Sequence, residues 1–244
     1  MKLNDKFIVF EEIIEEMTYV YKHDDRPWLI GYSGGKDSSL LVSLVVETVS
    51  RLPELERTKK IFIVTSDTGV ENPIVKNYMH MSSAKINEFS KIYNANIQAD
   101  IIYPDISQSF WSLVIGLGYP TPEPPGFRWC TERLKILPMN RYTNNIIDKF
   151  GEVVLLLGVR KDESLTRRRS ISSREIEGKL LTPHSDIEKA YVYNPLTEIP
   201  NELVWEYLLK NDGVSSWGVN MKYLFSLYQG ENLGEEQSVV GQID

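Results

Sequence analysis

Residues 27–41, Pro27-Trp28-Leu29-Ile30-Gly31-Tyr32-Ser33-Gly34-Gly35-Lys36-Asp37-Ser38-Ser39-Leu40-Leu41, pass from an apolar run through a small basic loop into an amphipathic pattern. Ser33-Gly34-Gly35 lets backbone N–H groups crowd around an oxyanion without interference from Cβ atoms. The helix that follows adds its unpaired first-turn N–H groups and the positive end of its dipole, and Lys36 adds a point charge. Such a nest suits the two phosphoryl groups of a pyrophosphate.

Spacing decides between kinds of phosphate loop. A Walker A loop needs Gly-x-x-x-x-Gly-Lys-Ser/Thr. Counting back from Gly35 places Ile30 where its first glycine should stand, and Asp37 replaces its magnesium-binding hydroxyl. The dinucleotide fingerprint Gly-x-Gly-x-x-Gly fails too, because Ser33 follows Gly31 at the second glycine position. Ser33-Gly34-Gly35-Lys36-Asp37-Ser38 instead resembles the Ser-Gly-Gly-x-Asp-Ser signature of the PP-loop ATP pyrophosphatases. Those enzymes cleave ATP between the α and β phosphates, giving an adenylylated substrate and pyrophosphate.

Three further segments carry chemistry. Ser66-Asp67-Thr68-Gly69-Val70-Glu71-Asn72-Pro73 closes a strand-like run. Asp67 can accept from a ribose hydroxyl or position magnesium, and Glu71 is a second candidate. Cys130 stands among Arg128, Arg133 and Lys135, which fits a nucleophile, a sulfur carrier, one metal ligand or a small buried hydrophobe. Arg160 opens a charged stretch after Gly158-Val159, in which Asp162 and Glu163 can join Asp37 in holding magnesium. Arg160 and the Arg167–Arg169 cluster can neutralise phosphates or a leaving pyrophosphate.

These residues need a frame. Residues 6–22 predict an amphipathic helix, with Ile13, Ile14, Met17 and Val20 on one side and glutamates on the other. Residues 38–52, 73–93, 107–117 and 201–209 predict further helices, with Ser107 as an N-cap, and another begins at Glu132. Lys60–Thr65, Ile97–Tyr103 and Glu152–Val159 are β-branched or continuous apolar runs of the kind found in buried parallel strands. Leu180–Pro183 and Ala190–Leu196 predict short extended segments. The loop of residues 118–131 holds four prolines and cannot be regular. His80, without a His or Cys four residues away, is expected to be structural or exposed. Residues 211–244 show no core pattern beyond Tyr223–Tyr228. In an open parallel sheet ligands sit at the carboxyl ends of the strands near the switch point, so Asp67 should lie beside the Ser33–Ser38 loop.

Composition bounds the rest. A chain of 244 residues, 42% hydrophobic and 25% charged, suits one large α/β domain with at most a small appendage. No apolar run reaches membrane-spanning length and the N-terminus has no signal-peptide pattern, so a cytoplasmic location is expected. A single cysteine excludes an internal disulfide framework. A net charge of −7 disfavours a stand-alone, nonspecific DNA binder. If DNA is the substrate, a local basic patch or a partner must receive it.

Four segments align in order with phosphoadenylylsulfate-reductase-like PP-loop proteins. Besides the loop, Ser66–Glu71 resembles their Asp-Thr-Gly segment, Trp129–Lys135 their Cys-x-x-Arg-Lys segment, and Gly158–Ser164 their Gly-x-Arg-x-x-x-Ser segment. Within that group the Val70–Pro73, Gly126–Thr131 and Gly158–Ser164 stretches resemble the DndC-type ATP pyrophosphatases of bacterial DNA phosphorothioation. There a non-bridging oxygen of the DNA backbone is replaced by sulfur.

The resemblance implies an α/β PP-loop fold (adenine nucleotide alpha hydrolase-like), a three-layer sandwich with a mainly parallel five-stranded sheet. Residues 1–27 would form an N-terminal helix, 28–200 the nucleotide domain and 201–244 a C-terminal helical extension. It implies ATP and Mg2+ as cofactors, a cysteine desulfurase as sulfur source, and DNA presented by Dnd or Ssp partner proteins. Lys36, Asp37, Arg160 and Cys130 would be catalytic. Ser33, Gly34, Gly35, Lys36, Asp37, Ser38, Ser66, Asp67, Thr68, Gly158 and Arg160 would bind nucleotide, and Asp37 with Asp162 magnesium. DndC-type proteins are longer and carry further cysteines for an iron–sulfur cluster, so a cluster with Cys130 as one ligand is expected of a longer protein. The chain is then a fragment or a shorter Ssp-type relative. Two alternatives stand beside this reading. One is a phosphoadenylylsulfate or adenylylsulfate reductase or sulfate adenylyltransferase, the other a non-catalytic nucleotide-binding scaffold.

Overall fold

The structure, a computed structural model, describes residues 7–122, 129–172 and 178–231. Five strands run parallel: β1 (Trp28–Gly31), β2 (Ile61–Ser66), β3 (Ile97–Ile102), β4 (Val153–Leu156) and β6 (Ala190–Tyr193). A sixth, the two-residue β5 (Thr182–Pro183), pairs antiparallel with β6, and the order is β3-β2-β1-β4-β6-β5. The expected five-stranded sheet therefore gains one short strand. It is an edge strand, where Pro183 does no harm because no neighbour needs its missing N–H.

Alternate residues explain the continuous apolar runs. Trp28 and Ile30 of β1, Ile61 and Ile63 of β2, and Val154 and Leu156 of β4 face one core. Leu29, Phe62, Val64 and Val153 face another. Successive strand residues point to opposite sides, so a strand covered on both faces must be apolar at every position. The first face is covered by α1 (Ile8–His23), α2 (Lys36–Arg51) and α3 (Pro73–Ile92), whose Ile14, Leu44 and Ile86 are buried there. The second is covered by α4 (Leu137–Phe150) through Ile146 and Ile147. The result is the expected three-layer α/β architecture.

Two predicted helices differ in detail. The 107–117 segment is a 3-10 turn, Ile106–Gln108, followed by a π-type turn, Ser112–Gly116. Ser109, not Ser107, caps it, with its Oγ accepting from the Ser112 N–H at 3.4 Å. The helix expected from Glu132 starts at Trp129 and passes through a second π-type turn, Glu132–Ile136, before α4. That turn lies directly before Pro138, which has no N–H to give to the carbonyl four residues back.

The C-terminal segment is better packed than its sequence suggests. Trp217, Val219, Met221 and Leu224 are buried in the same core as α1 and α2, joined by Tyr207 and Leu208 of α6 (Asn201–Leu208), the helix that follows the short α5 (Leu165–Ser172) in the chain. The spacing of these residues hides them. Val214 and Asn220 form an isolated bridge, and α7 (Met221–Glu231) starts at once, so neither a strand nor a helix period fits the whole stretch. No described helix is long and apolar enough to cross a membrane.

Candidate active site

The sheet order puts β1 between β2 and β4, so the chain leaves the sheet in opposite directions on either side of β1. A crevice forms at the carboxyl ends of such strands. Here it is a cavity of about 370 Å³ whose wall includes Ser33, Asp37 and Ser38 after β1, Ser66 at the end of β2 and Glu71 beyond it, and Gly158 and Glu163 after β4. That volume is in the range of small-molecule sites. A larger cavity of about 540 Å³ lies between α1, β5 and β6, away from the loop residues.

The loop is shaped by its glycines. Gly34 has φ +77°, and a Cβ there would stand 2.9 Å from Met79 Cγ of α3. Gly158 lets the segment after β4 come close to the start of α2, since a Cβ there would lie 3.1 Å from the Asp37 carbonyl oxygen. Hydroxyls tie the loop together. Ser33 Oγ accepts from the Gly35 N–H at 3.2 Å and lies 3.1 Å from Ser38 Oγ, which donates to the Gly35 carbonyl at 3.0 Å.

Asp37 is the buried pivot of the site. Its Oδ1 accepts from Arg160 Nε at 2.5 Å, and its Oδ2 faces Lys36 Nζ at 3.1 Å without an aligned hydrogen bond. Arg160 is 1% exposed and every guanidinium nitrogen is engaged: Nη1 donates to the Ile199 carbonyl at 3.0 Å and Nη2 to Asn201 Oδ1 at 3.3 Å. The arginine expected at the phosphates is thus not on the cavity wall. Its charge is committed to holding Asp37 against the start of α6. The Glu163 carboxylate accepts from the Arg160 backbone N–H at 2.7 Å and so shapes the turn on which Arg160 sits.

The other expected residues divide. Ser66 is on the wall with Val64, Ile136 and Met139, an apolar stretch of the kind that takes a flat base. Asp67 and Thr68 are not. Thr68 donates through its N–H and hydroxyl to Glu71, at 3.0 and 2.6 Å. Asp67, fully buried, accepts from the Gly69 N–H at 3.0 Å and meets Lys76 Nζ at 3.0 Å and His80 Nε2 at 2.9 Å. Burial pushes the Asp67 carboxyl up, but these hydrogen bonds outweigh it and hold the group below the usual carboxylate range. His80, expected to be structural or exposed, has a partly exposed side chain and a structural partner. It is a direct partner of a carboxylate at the end of β2. Lys76 and His80 stand four apart on α3, and that spacing was the available signal.

Asp162 is also elsewhere than expected. It is exposed, and its Oδ2 accepts from the Asn201 N–H at 3.1 Å, capping α6. Cys130 is half-buried and off the cavity wall, although Lys135 and Ile136, a turn further along the same helical stretch, are on it. Arg133 donates to Gln108 Oε1 at 3.1 Å. Arg128 lies outside the described residues, as do residues 123–127. Among the described residues no three His, Cys, Asp or Glu side chains gather into a metal-binding group.

The sequence profile of the phosphoadenosine phosphosulfate reductase domain matches residues 27–214. The chain belongs to that family. It is a phosphoadenosine-phosphosulfate-reductase-like PP-loop nucleotide-binding domain of the ATP pyrophosphatase superfamily. An uncharacterised protein of Methanocaldococcus jannaschii is 25% identical over 191 residues, 78% of this chain and 33% of that protein. The chain thus spans about a third of that relative's length. Two solved structures share the fold. The phosphoadenylyl-sulfate reductase of Candida auris, in a phosphate complex, has a TM-score of 0.50 at 12% identity, covering 93% of each chain. The NAD+ synthetase of Burkholderia pseudomallei has a TM-score of 0.51 at 13% identity, covering 98% of this chain and 88% of that one.

Proposed function

We propose that the chain is an ATP pyrophosphatase that transfers the adenylyl group of ATP to a phosphate oxygen of the DNA backbone, preparing that phosphate for sulfur insertion. The observation that carries the first half is the placement of Ser33, Asp37 and Ser38 of the loop on the wall of the switch-point cavity, together with the apolar Val64, Ile136 and Met139. The second half is supported by the Val70–Pro73, Gly126–Thr131 and Gly158–Ser164 segments, which resemble the DndC-type proteins.

In this reading the base rests on Val64, Ile136 and Met139, and the triphosphate lies along the loop. The acceptor oxygen attacks the α-phosphorus, the bond to the α,β-bridging oxygen breaks, and pyrophosphate leaves with the electron pair. Lys36 and the first-turn N–H groups of α2 stabilise the charge that builds on it. Arg160 positions Asp37 from behind. The incoming sulfur nucleophile then displaces AMP from the activated DNA phosphate. A cysteine desulfurase supplies the sulfur, and Dnd or Ssp partners present the DNA. Cys130 is the thiol of this chain that would carry it, as a persulfide, and a second thiol, from a partner or a small-molecule reductant, would then cleave the disulfide left between Cys130 and the new phosphorothioate.

Magnesium fits the residues present. Asp37 Oδ2 is buried, accepts no hydrogen bond and belongs to a wall residue, and Mg2+ ordinarily takes one or two carboxylates with substrate phosphates and waters. Asp37 would hold it, with Glu163 and Glu71 on the same wall, whereas Asp162 is occupied as a cap. When bound, the ion neutralises phosphate charge. An iron–sulfur cluster does not fit, because Cys130 is the chain's one thiol and such clusters need about four.

ATP labelled at the α and γ positions, incubated with DNA and a desulfurase, tests the reading. AMP with pyrophosphate, and sulfur in the DNA, is the expected outcome. ADP with phosphate overturns it, and absence of turnover with every partner favours a binding scaffold. AMP formation with a sulfonucleotide instead of DNA would move the acceptor to the reductase class.

A further inference from the structure

Two backbone amides at the start of α2 are held by hydroxyl oxygens. The Gly35 N–H donates to Ser33 Oγ, a neighbour within the loop. The Lys36 N–H donates, at 3.2 Å, to the phenol oxygen of Tyr228, which comes from α7 at the far end of the described chain. The Lys36 ammonium also lies 5.4 Å from the centroid of the Tyr228 ring. One tyrosine therefore touches both groups that the phosphate-loop reading assigns to an anion, the amide and the cation.

Tyr228 is seated by its surroundings. Its ring meets Trp205 of α6 edge-on at 5.1 Å, and it packs on Val75 and Met79 of α3. Met79 is the residue against which Gly34 closes. The beginning of α7 is held more deeply, since Met221 and Leu224 are buried in the main core at 0% and 1% exposure, whereas Tyr228 packs against that core only partly buried.

An N–H has a single proton to give. A phosphate oxygen accepts it in a charge-assisted bond, roughly twice as strong as the neutral one to a phenol. The ammonium gains likewise by exchanging a ring face for a phosphate. We propose that Tyr228 Oη holds the place of a diphosphate oxygen, so that a diphosphate entering the loop displaces the phenol and loosens the end of α7. The proposal rests on the phosphate-loop reading. It makes α7 a reporter of whether the loop is filled.

Inorganic pyrophosphate is the probe, titrated calorimetrically into the full chain and into its Tyr228→Phe variant. Phenylalanine keeps the ring and its packing but removes the competing oxygen. The variant is expected to bind pyrophosphate about three- to tenfold tighter, the range set by the net value of one hydrogen bond. In the unaltered protein, pyrophosphate is expected to speed amide hydrogen exchange at residues 225–230. Equal or weaker binding by Tyr228→Phe overturns the proposal, as does unchanged exchange in the unaltered protein. If neither protein binds pyrophosphate, the phosphate-loop reading falls as well. Equal binding by the two removes the displacement alone.

Discussion

Arg160 Nε and Asp37 Oδ1 lie 2.5 Å apart, with the two side chains 1% and 6% exposed. The pair joins the start of α2 to the segment after β4, and through Ile199 and Asn201 to the start of α6. Removing one partner of a buried pair strands the other charge, so Arg160→Ala should destabilise the chain by about 3–5 kcal/mol. Asp37→Ala combined with Arg160→Ala should cost less than the sum of the single changes. Urea unfolding of the four proteins of the cycle measures both, and strict additivity would show that the pair is not coupled.

Lys36 presents the opposite case. It is on the surface side of Asp37, at 16% side-chain exposure, and its proposed work is on the leaving group. Lys36→Ala is expected to lower AMP formation by about 10²–10³-fold, the scale of losing one transition-state donor. Its thermal midpoint should stay close to that of the parent. A rate loss matched by an equal loss of stability would mean that Lys36 holds the fold.

Gly158 and Gly69 separate steric from conformational demand. A Cβ at Gly158 would lie 3.1 Å from the Asp37 carbonyl oxygen and 3.3 Å from its carbon, and backbone atoms cannot rotate away. Gly158→Ala should cost about 1–3 kcal/mol by overpacking and weaken ATP binding. Gly69 has φ +79° with nothing within 4 Å of a Cβ, so Gly69→Ala should cost only the left-handed backbone, about 1–2 kcal/mol, with ATP binding preserved. Chemical denaturation and ATP titration of both variants check this.

Asp67 links stability to acid. Its native carboxyl titrates below the usual range, so the unfolded chain takes up the proton first as pH drops. The stability it supplies is complete above the unfolded value of about pH 4 and is lost as pH falls through the lower native value. Asp67→Asn should therefore be less stable than the parent near neutrality, with the gap narrowing below about pH 4. A gap that stays constant from pH 7 to 3 would show that the His80 and Lys76 contacts contribute nothing through charge.

The loop, the alternating strands and most helices were legible because each is a local pattern. Ser33–Ser38 declares its chemistry by spacing, and the strands show in continuous apolar runs that only a doubly covered sheet tolerates. Trp217–Leu224 escaped because bridge and helix share a few residues and neither period completes.

The pairings were not legible, and they reassign the site. Sequence by itself determined that a phosphate nest follows β1 and that charged residues follow β2 and β4. Which of those charges face the cavity was decided only when β4 came to lie beside β1. That adjacency buries Arg160 on Asp37, and the return of α7 sets Tyr228 on the Lys36 amide. A side chain's type states what it can bond. Its partner depends on strand order and helix packing, which bring together residues that no period in the sequence relates.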